Sequence, residues 1–462
     1  MLETRGQGYY FVSKPFPQHN LIIQHTGIIG MAIANIVIVG GGAGGMEIAT
    51  KLGHKLGRKG KARVTLIDCA ESHIWKPLLH EVATGALDVG IDALSYRSHA
   101  AAHGYHFQQG AMTDIDRQNK QVVLSAICDD KGDVLLPSRH IDYDYLVVAI
   151  GSIANDFSIP GIREHCQFLD NTEQAMAIRK ILLNKFLRYA SHSLLADKIK
   201  IAVVGAGATG VEMSAEMHHA VDQLRGFGYN IDSRLLEVTL IEADKRILPK
   251  VEKREISDSV TKELAALGVK VMTETRINQV DETGLTTTDG QMIPADLVIW
   301  STGVKAPDFL KEIGGLETNH INQLVVKQNM QTSRDPHIFA IGDCAACPQP
   351  NGTFVPPRGQ SARQMALMTA DNIMLLLAGQ DAHHQYVYKD LGSLVNLSKF
   401  HTVGNLLSFI GGGVMVEGKI ARFVYTSLYR RHLIELHGVV KGSLLMFAKG
   451  ISRIIHPHLK LH

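Results

Sequence analysis

Ile36-Val37-Ile38-Val39-Gly40-Gly41-Gly42-Ala43-Gly44-Gly45 is the stretch that decides the fold of this chain. Four consecutive β-branched residues predict a buried strand, because a branched Cβ suits the pleated backbone better than a helix. The chain then breaks at glycine and runs into Met46-Glu47-Ile48-Ala49, which reads as a helix. Gly40, Gly42 and Gly45 take the three positions of a dinucleotide fingerprint. The first serves the tight turn, the second lets backbone approach a pyrophosphate, and the third allows close helix–strand packing. Ala43 and Gly44 complete the loop at the helix start, where unpaired N–H groups and the positive dipole end favour an anion. A second strand, Val64-Thr65-Leu66-Ile67-Asp68, ends on an acid suited to hydrogen bonds from an adenosine ribose. Its distance from Gly40 exceeds the usual spacing of about 20 residues. The basic, glycine-punctuated stretch 51–61 reads as an insert that accounts for the excess.

A lone fingerprint is weak, since glycine-rich turns also arise for structural reasons, but here it recurs. Ile201-Ala202-Val203-Val204-Gly205-Ala206-Gly207-Ala208-Thr209-Gly210 repeats strand and glycines, at Gly205, Gly207 and Gly210, and Val238-Thr239-Leu240-Ile241-Glu242 repeats the acid-ended strand. Each copy also closes on a buried strand that runs into a glycine, at Gly151 and at Gly303. Such duplication implies two domains of one architecture. A further short strand, Ile338-Phe339-Ala340-Ile341, ends in Gly342-Asp343 and precedes a helix over 360–377.

With 462 residues the chain has material for two or three domains. A net charge of +2 carries no global nucleic-acid signature, and five unevenly spaced cysteines suit a reducing compartment. No apolar run reaches the roughly 18 residues of a spanning helix, so membrane contact is expected to be peripheral. Residues 1–33 form an N-terminal extension without the pattern of a secretory signal. They are left out of the fold, as an extension that need not be native. Histidine is plentiful but shows no metal-ligand spacing, and no catalytic metal is expected.

The tail from about residue 386 differs in character. After Glu417 it carries one acid, Glu435, against a series of lysines and arginines. On a helical wheel over 439–455, Val440, Leu444, Phe447, Ile451 and Ile455 form one stripe, with Lys441, Lys449 and Arg453 opposite. An amphipathic helix packed on the core has this pattern, and so does a helix lying in a membrane interface.

Two fingerprints, two strand–glycine exits and a late Ile-Gly-Asp are the signature of the two-dinucleotide-binding flavoproteins. Within them the chain resembles the bacterial type II NADH:quinone oxidoreductases, the single-subunit, non-pumping respiratory NADH dehydrogenases, from Asn35 to the end. The more specific markers are Trp75-Lys76-Pro77-Leu78-Leu79-His80-Glu81-Val82-Ala83-Thr84-Gly85, Ala208-Thr209-Gly210-Val211-Glu212, and Phe354-Val355-Pro356-Pro357-Arg358-Gly359-Gln360-Ser361-Ala362-Arg363-Gln364. The last matches the family's quinone motif except that Gly359 replaces an alanine. The resemblance implies an α/β fold of two Rossmann-like dinucleotide-binding domains, the second inserted in the first, plus a C-terminal amphipathic membrane-surface region. Its parts would be a FAD-binding domain at 34–161 and 301–385, an NADH-binding domain at 162–300, and a membrane-associating region at 386–462.

The resemblance also implies non-covalent FAD at Gly40, Gly42, Ala43, Gly44, Gly45, Asp68, Gly151 and Asp343, with the Met112 backbone meeting the adenine. Asp343 would act at a helix start, on a ribityl hydroxyl or the pyrophosphate. NADH, the substrate, falls to Gly205, Gly207, Gly210, Glu242 and Gly303. A carboxylate at Glu242 suits a free 2′-hydroxyl and repels a 2′-phosphate, which favours NADH over NADPH. Glu212, read as lying on the first turn of its helix, either complements the dipole or, by the family match, orients NADH or helps move protons. Gln360 and Gln364 share a helix face, and neutral amides can hydrogen-bond the oxygens of a quinone. The implied partners are a membrane quinone and an anionic lipid surface at the cytoplasmic face of the bacterial inner membrane, with a homodimer left open. Cys344-Ala345-Ala346-Cys347 raises the alternative of a disulfide reductase, but in those enzymes the cysteine pair lies elsewhere. Sulfide:quinone reductase would need flavin-proximal cysteines, and Cys128 and Cys166 are poorly placed for that. A soluble ferredoxin reductase or NADH oxidase has no need of the basic tail.

Overall fold

The β-branched run forms the strand Ala34–Val39 at the centre of a five-stranded sheet in this computed structural model. The model describes residues 33–191, 198–226, 235–251, 253–397, 401–406, 414–417, 442–444 and 447. The spatial order is Ile338–Ala340, Tyr145–Val148, Ala34–Val39, Ala62–Asp68 and His106–Gln109, every neighbouring pair parallel. Parallel sheets are covered on both faces, which is why their strands are apolar throughout rather than alternating. Ile36, Ile38, Leu66, Ile67, Leu146 and Val147 are accordingly fully buried. Register sets Val39 beside both Ile67 and Val148, so three strands end at one edge, where the helix Ala43–Lys55 begins.

The second sheet repeats this order with Cys166–Phe168, Leu297–Trp300, Ile199–Val204, Leu236–Ile241 and Lys270–Met272, again all parallel. Each sheet has a three-stranded antiparallel companion: Met112–Asp116, Gln121–Leu124 and Arg139–Asp142 for the first; Ile277–Asp281, Gly284–Thr287 and Met292–Pro294 for the second. The copies differ in their outer strand. Cys166–Phe168 precedes the second fingerprint, whereas Ile338–Ala340 joins the first sheet only after the whole second sheet has been made. The second domain is thus an insertion in the first. Outgoing Ile153–Ala154 and returning Val304–Lys305 pair as an antiparallel ribbon. Asp156 binds Arg163 and Lys305 beside that ribbon, the latter at 3.6 Å.

Within the stretch 51–61, Lys51 and Lys55 still belong to the helix Ala43–Lys55, and Gly57–Lys59 adds a 3-10 turn closed by Gly60 at φ +63°. The 75–85 motif, though it lies within the first half of the chain, packs into the second domain. Leu79, Val82 and Ala83 share a core with Ala175 and Ile178 of the helix Thr172–Ser191 and with Val211 of the helix Ala208–Gly226.

The tail contributes an antiparallel sheet of Gly392–Leu397, His401–Leu406 and Val414–Glu417, with Gly392–Leu397 beside the helix Ala208–Gly226. Of the apolar stripe, Leu444 and Phe447 are described, both helical and 62% and 70% exposed. Val440, Ile451 and Ile455 lie outside the described residues, as do residues 1–32 of the N-terminal extension. Among the described residues no helix is long and apolar enough to cross a membrane.

Candidate active site

The glycines of each fingerprint divide into two kinds. Gly40 has φ +103°, and a Cβ there would run into the Ala149 carbonyl; one on Gly45 would run into the Gly40 carbonyl. These two are required by the fold itself. Gly42 has φ −67°, and no protein atom lies within 4 Å of where its Cβ would be. Nothing inside the protein asks for glycine at 42, so what needs the space comes from outside. The second copy divides in the same way: Gly205 at φ +100° abuts Thr302, Gly210 abuts the Gly205 carbonyl, and Gly207 faces open space.

The first helical hydrogen bonds run from Met46 N–H to the Gly42 carbonyl and from Val211 N–H to the Gly207 carbonyl. The preceding N–H groups, Ala43 to Gly45 in the first copy, therefore lack helical partners. Neither helix carries an acid in its first turn. Open space over a glycine, beside oriented donors at a positive dipole end, fits a pyrophosphate at both places.

The two strand-ending acids do more than the sequence suggests. Asp68 accepts from Gly41 N–H at 2.5 Å and Ala70 N–H at 2.8 Å. Burial pushes its carboxyl above the usual range, and those N–H donors pull it back. Glu242 accepts from Ala206 N–H at 2.8 Å and Asp244 N–H at 3.1 Å. Each acid thus braces its own glycine loop. Gly110 N–H donates to the Asp68 carbonyl, which brings Met112 close to the same strand end.

At the opposite side of the first sheet's edge, the Ser152 hydroxyl donates to Asp343 at 2.8 Å, and Lys76 Nζ donates to the Ser152 carbonyl at 2.8 Å. Burial raises the Asp343 carboxyl, offset by the Ser152 hydroxyl and by Lys76 and Lys250. Asp343 sits in a one-turn 3-10 helix, Gly342–Cys344, rather than at the start of a long helix. Gly151, at φ +74°, faces open space beside this group, while a Cβ on Gly303 would meet the Phe157 ring.

Glu212 lies in the second turn of its helix, because that helix begins at Ala208. The expectation of a first-turn, dipole-complementing acid is corrected accordingly. Glu212 is buried, and its Oε2 lies 3.7 Å from Nδ1 of buried His80. Burial lowers His80 to about 4, so its imidazole is neutral near pH 7.

Gln360 and Gln364, on the helix Gly359–Leu377, are both engaged by the segment 386–391. Gln360 donates to Asp390 at 3.1 Å and accepts from Leu391 N–H at 2.9 Å. Gln364 donates to the Lys389 carbonyl and accepts from Lys389 N–H and the Tyr386 hydroxyl. Arg358 joins them through Asp390 at 2.8 Å. Cys344 and Cys347 are buried free thiols, pushed by burial up to about 12, which leaves them unreactive.

The sequence motifs contain Lys76, His80 and Ser152 without assigning them roles, and Asp390 belongs to none of them. Only the tertiary fold shows their partners.

Over residues 34–370 the chain matches the pyridine nucleotide-disulphide oxidoreductase family. It is 46% identical over 444 residues to the type II NADH:quinone oxidoreductase of Haemophilus influenzae, a match covering 93% of this chain and 100% of that protein. It is 28% identical over 420 residues to the enzyme of the same name from Staphylococcus aureus, covering 90% and 98%. Its fold is similar to the solved structure of NDH2 from Plasmodium falciparum in complex with NADH, with a TM-score of 0.77 at 20% identity, covering 92% of this chain and 100% of that one. The chain belongs to the pyridine nucleotide-disulphide oxidoreductase family and, within it, to the type II NADH:quinone oxidoreductases.

Proposed function

We propose that the first domain holds FAD, the second holds NADH, and a membrane quinone is reduced where the Gly359–Leu377 helix meets the segment 386–391. The observation that carries this assignment is the pair Gly42 and Gly207, each a glycine with open space above it at a helix start, once in each domain. A bound flavin supplies hydride acceptance from NADH and two-electron delivery to quinone, so the chain has to hold, orient and move protons.

In this assignment Gly40, Gly42, Ala43, Gly44 and Gly45 receive the FAD pyrophosphate and Asp68 its adenosine ribose, with the Met112 backbone at the adenine. Gly151 and Asp343 face the ribityl end, with Asp343 oriented by Ser152. Gly205, Gly207 and Gly210 receive the NADH pyrophosphate, and Gly303 lines the same mouth. Glu242, braced by two backbone N–H groups, presents a fixed carboxylate that repels a 2′-phosphate. Glu212, with neutral His80 beside it, moves protons or orients NADH. Gln360 positions Asp390 and Leu391. Gln364 makes three of the four hydrogen bonds open to an amide, which leaves its second N–H as donor for a quinone oxygen. The basic, apolar tail holds this end of the molecule on anionic lipid at the cytoplasmic face of the inner membrane; exposed Leu444 and Phe447 support that role.

Anaerobic addition of NADH to the yellow protein tests the scheme. Flavin absorbance should bleach, then recover on addition of a short-chain quinone. Failure to bleach overturns the nucleotide assignment. Bleaching without recovery by quinone redirects the protein to a soluble acceptor.

A further inference from the structure

We infer that Tyr96 is a positioning residue for the flavin pyrophosphate, setting the direction of the Gly42 N–H through the carbonyl of Gly41. This rests on the assignment of the first fingerprint to FAD.

Tyr96 begins the helix Tyr96–His103, far from the fingerprint in sequence, and is 3% exposed. Its hydroxyl donates to the Gly41 carbonyl at 2.8 Å, while Gly41 N–H donates to Asp68 at 2.5 Å. The residue between the turn glycine and the open glycine is therefore held at both ends. The peptide joining Gly41 to Gly42 is planar and trans, so its C=O and N–H point in opposite directions. Fixing the carbonyl on Tyr96 fixes the Gly42 N–H away from Tyr96. The phosphate-facing donor is thereby oriented before any ligand arrives, and preorganisation of this kind converts directly into affinity.

The ring is itself held, stacked on Phe107 with centroids 5.1 Å apart. Burial raises the phenol well above its ordinary value, which keeps it a donor. Tyr96 also explains a glycine that the fingerprint does not require: a Cβ on Gly41 would strike the Tyr96 ring.

The second copy serves as an internal comparison. There Ala206 occupies the place of Gly41, its N–H donates to Glu242 at 2.8 Å, and its carbonyl accepts from the backbone N–H of Leu248 at 2.8 Å. The same two-ended hold exists, but a backbone donor supplies it. With no ring at that place, a methyl group is accommodated. The flavin copy alone depends on a side chain for this contact, so one substitution should affect the two nucleotides unequally.

Full-length protein stripped of flavin and titrated with FAD, followed by flavin fluorescence, provides the test. Tyr96→Phe keeps the ring and removes the donor, so it should raise the FAD Kd on the order of tenfold. The KM for NADH should stay near wild type, and the urea midpoint of the flavin-free protein should fall by less, in free energy, than the FAD Kd rises. Gly41→Ala, which pushes a methyl into the ring, should also raise the FAD Kd. Equal FAD Kd values for wild type and Tyr96→Phe overturn the inference. So does a loss of affinity matched by an equal loss of flavin-free stability, which would mark Tyr96 as a fold residue. A wild-type protein that binds no FAD overturns the flavin assignment instead.

Discussion

Gly42 and Gly45 stand three residues apart, yet they should fail in different ways when substituted. Gly42→Val places its side chain in open space, so the flavin-free protein should unfold at nearly the wild-type urea concentration and yet purify colourless. Gly45→Ala drives a methyl into the Gly40 carbonyl and should cost about 1–3 kcal/mol of stability through overpacking, with or without flavin. Urea midpoints and the absorbance of purified protein separate the two; a yellow Gly42→Val would remove the pyrophosphate from that glycine. His80 supplies a pH signature. Its folded pKa of about 4 lies below the ordinary 6.5, so the unfolded chain takes up the proton first. Its contribution is intact above pH 6.5 and is lost as pH falls toward 4, reaching about 3 kcal/mol. His80→Asn should flatten this part of the stability profile between pH 7 and 4.5. A variant with the wild-type slope would show that folding does not shift the His80 pKa.

The helix Gly359–Leu377 and the segment 386–391 act as one element, because Arg358, Gln360 and Gln364 all bind that segment. Removing one amide deletes its hydrogen bonds to the segment, at about 0.5–1.5 kcal/mol each. Gln364→Leu should therefore slow quinone reduction tenfold or more while NADH still bleaches the flavin at close to the wild-type rate. Stopped-flow measurement of the two half-reactions decides; equal losses in both would place Gln364 in support of the flavin. The 75–85 motif shows a related effect of packing. Its apolar residues cover the second domain's helices, so Lys76 and His80 face groups from both halves of the chain.

For the molecule as a whole, the proposed scheme has the tail link enzyme to substrate, since a long-chain quinone stays in the bilayer. Basic residues near an anionic surface contribute about 1 kcal/mol each, and apolar residues entering the interface add to this in proportion to buried area. Truncation before Val439 should release a soluble enzyme that still oxidises NADH with short-chain quinones. The full-length protein should leave anionic vesicles in part as salt rises. Co-sedimentation of the truncated protein with vesicles at the full-length level would assign the anchor elsewhere.

Local chemistry made the nucleotide folds legible before any coordinates. A β-branched run, three spaced glycines and a terminal acid each report a short-range requirement of the backbone, and their duplication named both domains. The sequence alone also singled out Glu212, Gln360 and Gln364, through motifs, without saying what each side chain touches. Contacts between residues far apart in the chain were decided only by the tertiary structure. They include Tyr96 under Gly41, His80 against Glu212, Asp343 on Ser152, and the amides tied to 386–391. The physical reason is that a hydrogen bond or a buried neighbour across 22 to 191 residues leaves no periodicity in the sequence; it exists only once the tertiary fold brings the partners together.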